Sequence, residues 1–179
     1  YGEAVKLSES SLKLAGLRAG FFSTVMSDTG RGEEPNPEHQ TTPEATAVQR
    51  MLAAMRDSGC EYAVVEASSH GLSPRLNRLG DVAFDAAVFM NVTHEHLEFH
   101  GSWERYRDDK ANLFRALDRF PHDKIFGGVP RAVPAFGVAC ADDPSAAYFA
   151  AATGKPTRTF SSKGVPGADF RALDIRADE

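Results

Sequence analysis

The chain has 179 residues, of which 42% are apolar and 25% charged, a composition typical of one ordinary globular domain. Its formal net charge of −5 argues against a general nucleic-acid binder, and no apolar run approaches the roughly 18 residues that would predict a membrane-spanning helix. Cys60 and Cys140 lack the spacing of a disulfide framework or a metal knuckle, which predicts a reducing, cytoplasmic setting.

The first half of the chain predicts a helix, a strand, a loop and a second helix. The spacing of apolar residues predicts a helix over 7–14 that ends at Gly16, followed by a buried strand over 19–25. Residues 27–40 hold acidic residues, prolines and glycines, which predicts an exposed loop. Thr42 is the predicted N-cap of the next helix, with Pro43 at its first helical position.

The second half alternates strands and helices, which predicts an α/β fold. Its predicted elements are strands over 61–67 and 84–92, a helix over 102–117, irregular chain over 119–134, a weak strand over 135–139, a helix over 145–152 and a strand over 157–161. The strand over 84–92 is almost unbroken in its apolar character, as in strands covered on both faces. The pattern predicts a mostly parallel sheet with helices on both faces.

A polar cluster, Glu66-Ala-Ser-Ser-His-Gly71, follows the strand over 61–67. Ligands of open parallel sheets bind at the carboxyl ends of the strands, so Glu66 is a candidate site residue. A carboxylate on a buried strand needs a partner or a metal. The alternative is a structural carboxylate that accepts hydrogen bonds from backbone N–H groups.

A second cluster follows the strand over 84–92 and holds His94, His96, Glu98 and His100 within seven residues. Three histidines at a strand end favour a functional site. Imidazole and carboxylate side chains suit zinc or iron, so a metal-dependent hydrolase is one interpretation of this cluster alone.

Four motifs taken together resemble the central domain of the Mur ligases. They are Thr41-Thr-Pro-Glu44, Glu66-Ala-Ser-Ser-His-Gly-Leu72, the segment from Asn91 to Gly101, and Tyr106-Arg-Asp-Asp-Lys110. The resemblance covers about Gly16 to Asp143 and is closest to the members that add the third peptide residue to a UDP-muramoyl dipeptide. It implies a central domain like that of P-loop NTPases.

The resemblance implies a magnesium site and ATP as a substrate. Glu66, His96 and Lys110 would be the metal ligands, with Lys110 carbamylated by carbon dioxide. A carbamate replaces a cation with an anion that has two oxygens, which suits magnesium. The lysine must first lose its proton, so its surroundings should lower its pKa. The alternative for Lys110 is an exposed helix lysine paired with Glu104 or Asp109.

The same resemblance implies a binding wall for the UDP-muramoyl dipeptide. Thr41, Thr42, Ser68 and His70 match positions that hold this substrate. An arginine normally follows the Ser-Ser-His motif, but Leu76 occupies the matching position here, so the flanking Arg75 and Arg78 become candidates. The alternative for the two threonines is a loop and a helix cap.

We expect residues 1–155 to form the central domain and 156–179 to be its trailing strands or the start of a further element. The family's phosphate loop has no match in this sequence, and neither do its amino-terminal UDP-binding domain and carboxyl-terminal amino-acid-binding domain. We therefore predict that the chain is a fragment of an ATP-dependent ligase and that this fragment alone is inactive. Alternatives are a folylpolyglutamate-synthetase-type ligase, the metal-dependent hydrolase, and a non-catalytic homologue that binds a UDP-peptide.

Overall fold

A computed structural model describes residues 2–36, 40–92 and 97–175, which fall into two units, Tyr1–Val82 and Ala83–Glu179. The helices are Gly2–Leu14 (α1), Ala45–Asp57 (α2), Ser69–Leu72 (α3), Leu97–His100 (α4), Trp103–Ala116 (α5) and Ala146–Ala150 (α6). The strands are Ala19–Phe22 (β1), Met26–Asp28 (β2), Glu33–Pro35 (β3), Tyr62–Val65 (β4), Ala86–Phe89 (β5), Asp123–Phe126 (β6), Val129–Ala132 (β7), Phe136–Cys140 (β8), Thr157–Ser161 (β9) and Phe170–Arg171 (β10). No helix in these ranges is long and apolar enough to cross a membrane.

The first unit contains a four-stranded sheet in the order β3-β2-β1-β4, in which β1 and β4 are parallel and the other two pairs antiparallel. Two predictions are wrong here. The strand expected over 19–25 ends at Phe22, and the expected loop over 27–40 contains most of β2 and all of β3. All three residues of the acidic, proline-containing β3 are exposed, so its composition indicates a loop although its backbone pairs with β2.

The helix α2 begins two residues later than expected. Its N-cap position is Glu44, whose side chain makes no capping hydrogen bond, and Thr42 lies outside the helix. The prediction that Thr42 caps this helix is therefore wrong. Its hydroxyl is used in tertiary hydrogen bonds instead, which leaves the first turn of α2 without a side-chain cap.

A buried group of charges joins α1 to the end of β2. Lys13 on α1 forms ion pairs with Glu9 and with Asp28, whose side chains are only 1% and 5% exposed. Asp28 also accepts hydrogen bonds from the backbone N–H groups of Gly30 and Gly32. Hydrogen bonding to Glu9, opposed by partial burial and aided by Asp28, raises the pKa of Lys13 to about 12. Burial opposes the ionisation of Asp28, but the hydrogen bonds from Lys13 and the turn outweigh it and lower its pKa.

Replacing Lys13 with Met is expected to lower the free energy of unfolding by about 1–2 kcal/mol, because two shielded carboxylates lose a cation that is itself partly exposed. Asp28 has a folded pKa below its unfolded value. Its contribution to stability is therefore present above about pH 4 and is lost as the pH falls through the folded value. Urea unfolding between pH 7 and pH 3 measures both effects.

Lys6→Met is the matched control, because Lys6 pairs with Glu33 and both side chains are well exposed. We expect a much smaller loss for this variant and no change in the acid dependence. Equal losses in the two variants would contradict a special contribution from the buried group.

The second unit contains a fully parallel sheet in the order β10-β9-β8-β5. Apolar side chains of β5, β8, α5 and α6 form its core: Ala87, Phe89, Ala111, Phe114, Leu117, Ala139 and Phe149. The rings of Phe89 and Phe149 stack with centroids 3.7 Å apart. On β5 the buried residues alternate with exposed ones, and Val88 is 52% exposed. The prediction that this strand is covered on both faces is therefore wrong for the described residues.

Residues 119–134, expected to be irregular, contain the antiparallel hairpin β6-β7. Its turn consists of Gly127 and Gly128, both with positive φ, a conformation that favours glycine. The α/β class is confirmed, since parallel strands alternate with helices in both units. However, hydrogen bonds divide the described strands into separate sheets, and β4 and β5 belong to different ones.

Candidate functional site

Glu66 lies directly after β4 and is 9% exposed. Its backbone N–H donates to Phe22 O, which extends the pairing of β1 with β4 by one residue. One carboxylate oxygen, Oε2, accepts hydrogen bonds from Thr24 N at 2.8 Å and Thr24 Oγ1 at 3.1 Å. Among the described residues, no hydrogen bond reaches the other oxygen, Oε1. The carboxylate is thus held at one oxygen and keeps the second available.

Thr24 is a site residue that the sequence reasoning missed. It follows β1, the strand that pairs in parallel with β4, so the ends of both strands meet at one edge of the sheet. Thr24 Oγ1 also lies 2.9 Å from Thr41 Oγ1. The rule that located Glu66, namely polar residues directly after a buried strand, applies equally to Ser23-Thr24 and could have identified them.

Thr42 connects the threonine segment to the turn that follows Glu66. Its side chain is almost fully buried, and its Oγ1 donates to Glu66 O at 3.1 Å and accepts from Ser68 N at 3.0 Å. Ser68 in turn caps α3, because its Oγ accepts a hydrogen bond from Gly71 N at 3.1 Å. A Cβ atom on Gly71 would lie 2.5 Å from Thr42 Cγ2, so only glycine allows this approach.

The structure therefore brings together four predicted residues, Thr41, Thr42, Glu66 and Ser68, around the ends of β1 and β4. We call these four residues and Thr24 the threonine–glutamate network. His70, another predicted residue, lies on α3.

The two candidate arginines differ in their surroundings. Arg75 is exposed, and its backbone N–H donates to Ser73 Oγ at 3.2 Å. Arg78 is mostly buried and its guanidinium donates to Gln40 Oε1 at 2.7 Å and to Thr42 O at 2.9 Å. It also pairs with Glu44. These contacts do not test whether Arg75 or Arg78 binds the substrate, so this role stays a prediction for both.

Lys110 lies in the second unit, in the middle of α5. It is half-buried, and its Nζ stands 5.3 Å from the ring centroid of Tyr106, one helical turn earlier. Tyr106 itself is 2% exposed. Lys110 is therefore shielded in part by its own helix, and its role as a metal ligand stays a prediction.

His100 and Asp109 form a hydrogen bond of 2.7 Å between Nδ1 and Oδ2, which links α4 to α5 next to Lys110. The His100 side chain is fully buried and its ring packs against Tyr106, with centroids 5.2 Å apart. Its burial and its pairing with Asp109 give this histidine a structural role in joining α4 to α5. The pairing of Asp109 with His100 was not foreseen.

His96, the third predicted metal ligand, lies outside the described residues, as do His94 and Glu95. Within the described ranges, no group of three or more His, Cys, Asp and Glu side chains is arranged to hold a metal ion. Asp143 shapes the end of β5, because its carboxylate accepts hydrogen bonds from Val92 N at 2.9 Å and Ser145 N at 2.7 Å.

These features define an α/β domain with a polar site at the carboxyl ends of two parallel strands. The sequence model of the Mur ligase middle domain family matches residues 6–179, and the chain belongs to this family. A UDP-N-acetylmuramyl-tripeptide synthetase of Treponema pallidum is 61% identical over 160 residues, which are 89% of this chain and 28% of that protein. The corresponding protein of Roseiflexus sp. is 42% identical over 96% of this chain and 33% of its own length.

A 2,6-diaminopimelate-adding ligase of Streptomyces avermitilis is 35% identical over 97% of this chain and 31% of its own length. A solved structure of a UDP-N-acetylmuramoyl-L-alanyl-D-glutamate–2,6-diaminopimelate ligase matches with a TM-score of 0.73 and 25% identity, covering 95% of this chain and 31% of that one. The chain thus spans about a third or less of the length of these relatives.

Proposed function

We propose that this chain is the middle domain of a longer ATP-dependent amide ligase of peptidoglycan synthesis. The reaction adds the third amino acid to UDP-N-acetylmuramoyl-L-alanyl-D-glutamate. The observation that carries the proposal is the 61% identity, over nearly the whole chain, to a protein named as a tripeptide synthetase. In this reaction the terminal phosphoryl group of ATP passes to the D-glutamate carboxylate, giving an acyl phosphate and ADP. The amine of the incoming amino acid then attacks the acyl carbon, and phosphate leaves.

The threonine–glutamate network supports a role for the first unit in holding the UDP-muramoyl dipeptide. Hydrogen bonds fix the three residues proposed to hold this substrate. Thr41 is bonded to Thr24, and Thr42 is bonded both to Glu66 O at the end of β4 and to Ser68 N. Groups held in this way lose little conformational freedom when a ligand binds, so more of the interaction energy is retained. His70 and Arg75 are proposed to belong to the same binding wall.

The residues present fit the magnesium that the family implies. Glu66 has one oxygen fixed by Thr24 and the other free of hydrogen bonds among the described residues, and a carboxylate is a ligand that magnesium prefers. We propose Glu66, His96 and carbamylated Lys110 as the ligands. The metal would neutralise phosphate charge, as in phosphoryl transfer generally.

The domain boundaries follow from the same proposal. Residues 1–155 form the middle domain, and β9 and β10 within 156–179 extend its parallel sheet, which supports their assignment as trailing strands. The longer enzyme supplies the phosphate loop, the UDP-binding domain and the domain that selects the amino acid. We propose a cytoplasmic location, since ATP and the UDP-peptide are substrates.

The proposal is tested on the longer protein that contains this chain. We expect ADP release that requires both the UDP-dipeptide and an amino acid, and mass spectrometry should detect the UDP-tripeptide. A reduced folate with glutamate as the substrate pair tests the folylpolyglutamate-type alternative. Binding of the UDP-dipeptide without any ADP release would instead indicate a non-catalytic homologue.

The isolated 179-residue chain is expected to show no such activity. It covers about a third or less of its relatives, so it cannot orient ATP, the UDP-dipeptide and the amino acid together. The same assay of ADP release, run on the chain and on the longer protein at equal concentration, measures the difference. Substrate-dependent ADP release by the isolated chain would contradict the proposal that activity requires the other parts of the longer enzyme.

A further inference from the structure

The guanidinium of Arg78 contacts one segment of the chain at three points. Its Nη1 donates to Gln40 Oε1 at 2.7 Å and to Thr42 O at 2.9 Å, and its Nη2 pairs with the Glu44 carboxylate. The side chain is only 17% exposed. Arg78, which follows α3 in the chain, thus contacts residues on both sides of Thr41 as well as the residue before Pro43 and the one after it.

The segment 40–44 is held from two directions. Hydrogen bonds that involve the hydroxyls of Thr41 and Thr42 attach it to Thr24 and to the backbone of Glu66. Arg78 holds the backbone of Thr42 and both ends of the segment. The pair with Glu44 contributes little by itself, because Glu44 is 64% exposed. The hydrogen bond to Thr42 O is the important one, since a charged, mostly buried donor forms it with the peptide that carries the binding threonine.

Arg78 has little left to offer a ligand directly. Both N–H groups of Nη1 are used within the chain, Nη2 faces a carboxylate, and the Nε atom is shielded from solvent. A substrate carboxylate would have to compete with Glu44 for the same charge. Three of the five N–H groups of the guanidinium are thus bound by its own chain, and the Nε–H group is too shielded to meet a ligand.

We infer that Arg78 is a positioning residue that holds the 40–44 segment in the conformation in which Thr41 and Thr42 bind the UDP-muramoyl dipeptide. This inference rests on the proposed function and assigns Arg78 a role other than direct substrate contact. Arg78 acts through Thr42, so its loss should affect every ligand that the threonines bind. A direct contact with the D-glutamate carboxylate would affect only ligands that have that carboxylate.

The experiment measures ligand binding by calorimetry on the longer protein, with UDP-N-acetylmuramoyl-L-alanyl-D-glutamate and with the same ligand lacking D-glutamate. For Arg78→Ala we expect both dissociation constants to rise by a similar factor, at least about ten-fold, because misplacement of about 1 Å can have effects of this size. The KM for ATP should change less than about two-fold. Arg50→Ala, at an exposed position on α2, is the control and should match the wild type.

Two further measurements separate positioning from general loss of structure. Amide hydrogen exchange of the peptide containing residues 40–44 should accelerate in unliganded Arg78→Ala, whereas exchange in α5 should not change. Arg78→Lys keeps the charge but has one nitrogen in place of the planar fork, so it cannot contact Glu44 together with Gln40 and Thr42, and its binding should be intermediate. If Arg78→Ala does not fold, Arg78→Lys carries the test.

Glu44→Ala distinguishes positioning from direct substrate contact, because the two roles predict different changes in affinity. It frees the charge of Arg78, so a direct substrate contact predicts tighter binding of the glutamate-containing ligand, and positioning predicts unchanged or slightly weaker binding. Unchanged binding in Arg78→Ala, or a loss confined to the glutamate-containing ligand, would overturn the inference. A wild-type protein that binds neither UDP-peptide would overturn the proposed function instead.

Discussion

Lys110→Ala is expected to remove nearly all ligase activity of the longer enzyme, and added formate or acetate is expected to restore part of it. The proposed carbamate places a carboxylate-like anion beside magnesium. A small free carboxylate can enter the space left by the truncated side chain and supply similar oxygens. The measurement is the rate of ADP formation with and without formate.

Lys110→Arg is the matched variant, because it keeps a positive charge and a long side chain on the same helix. It should be inactive, since guanidinium stays charged and does not become carboxylated. If Lys110 serves only as a helix residue above Tyr106, the alanine variant should keep near-normal rates, because such changes usually cost under about 0.5 kcal/mol. Near-wild-type activity in Lys110→Arg would remove the carbamate from the mechanism.

Glu66→Gln is expected to lower the rate of ADP formation by roughly 100-fold or more while leaving stability nearly unchanged. The amide can keep the hydrogen bonds from Thr24 through its carbonyl oxygen, but it no longer provides an anionic oxygen for a metal. Thermal unfolding and kinetics on the same preparation measure the two effects separately. A structural carboxylate predicts the reverse, namely near-normal kinetics whenever the fold is kept.

Thr24 provides a second test of the same site, through the orientation of Glu66. Thr24→Val removes the hydroxyl at nearly constant shape, whereas Thr24→Ser retains it. We expect Thr24→Val to raise the magnesium concentration needed for half-maximal activity by about 10-fold, a typical effect of removing a group that orients a ligand. Thr24→Ser should stay close to the wild type. Equal magnesium dependence in the two variants would show that the hydroxyl does not orient Glu66.

The sequence located much of the candidate site because the site follows strand ends. Glu66 comes after an apolar run, and chemistry at the carboxyl ends of parallel strands is a general property of α/β sheets. Ser68 lies in the same strand-end cluster but became a candidate through the family resemblance. Thr24 was missed because the strand before it was expected to continue to Val25, so its end was placed too late.

The role of Thr42 shows why a local pattern can mislead. Thr-Pro-Glu is a common way to begin a helix, but the hydroxyl of Thr42 forms hydrogen bonds with Glu66 O and Ser68 N, more than twenty residues away. These bonds satisfy buried backbone groups, which is worth more than a cap at a solvated helix end. The local preference of threonine for a helix N-cap is therefore overridden by these two tertiary hydrogen bonds.

The sequence by itself determined the α/β class, the family, and the positions of most helices, because apolar periodicity and the spacing of motifs are local properties of the chain. Only the tertiary structure decided which polar groups meet. The partners of Arg78 lie more than thirty residues away, and His100 pairs with Asp109 on the following helix. The exposed β3 and the β6-β7 hairpin also depended on pairing with a neighbouring strand, since their side chains bury too little apolar surface to indicate a strand alone.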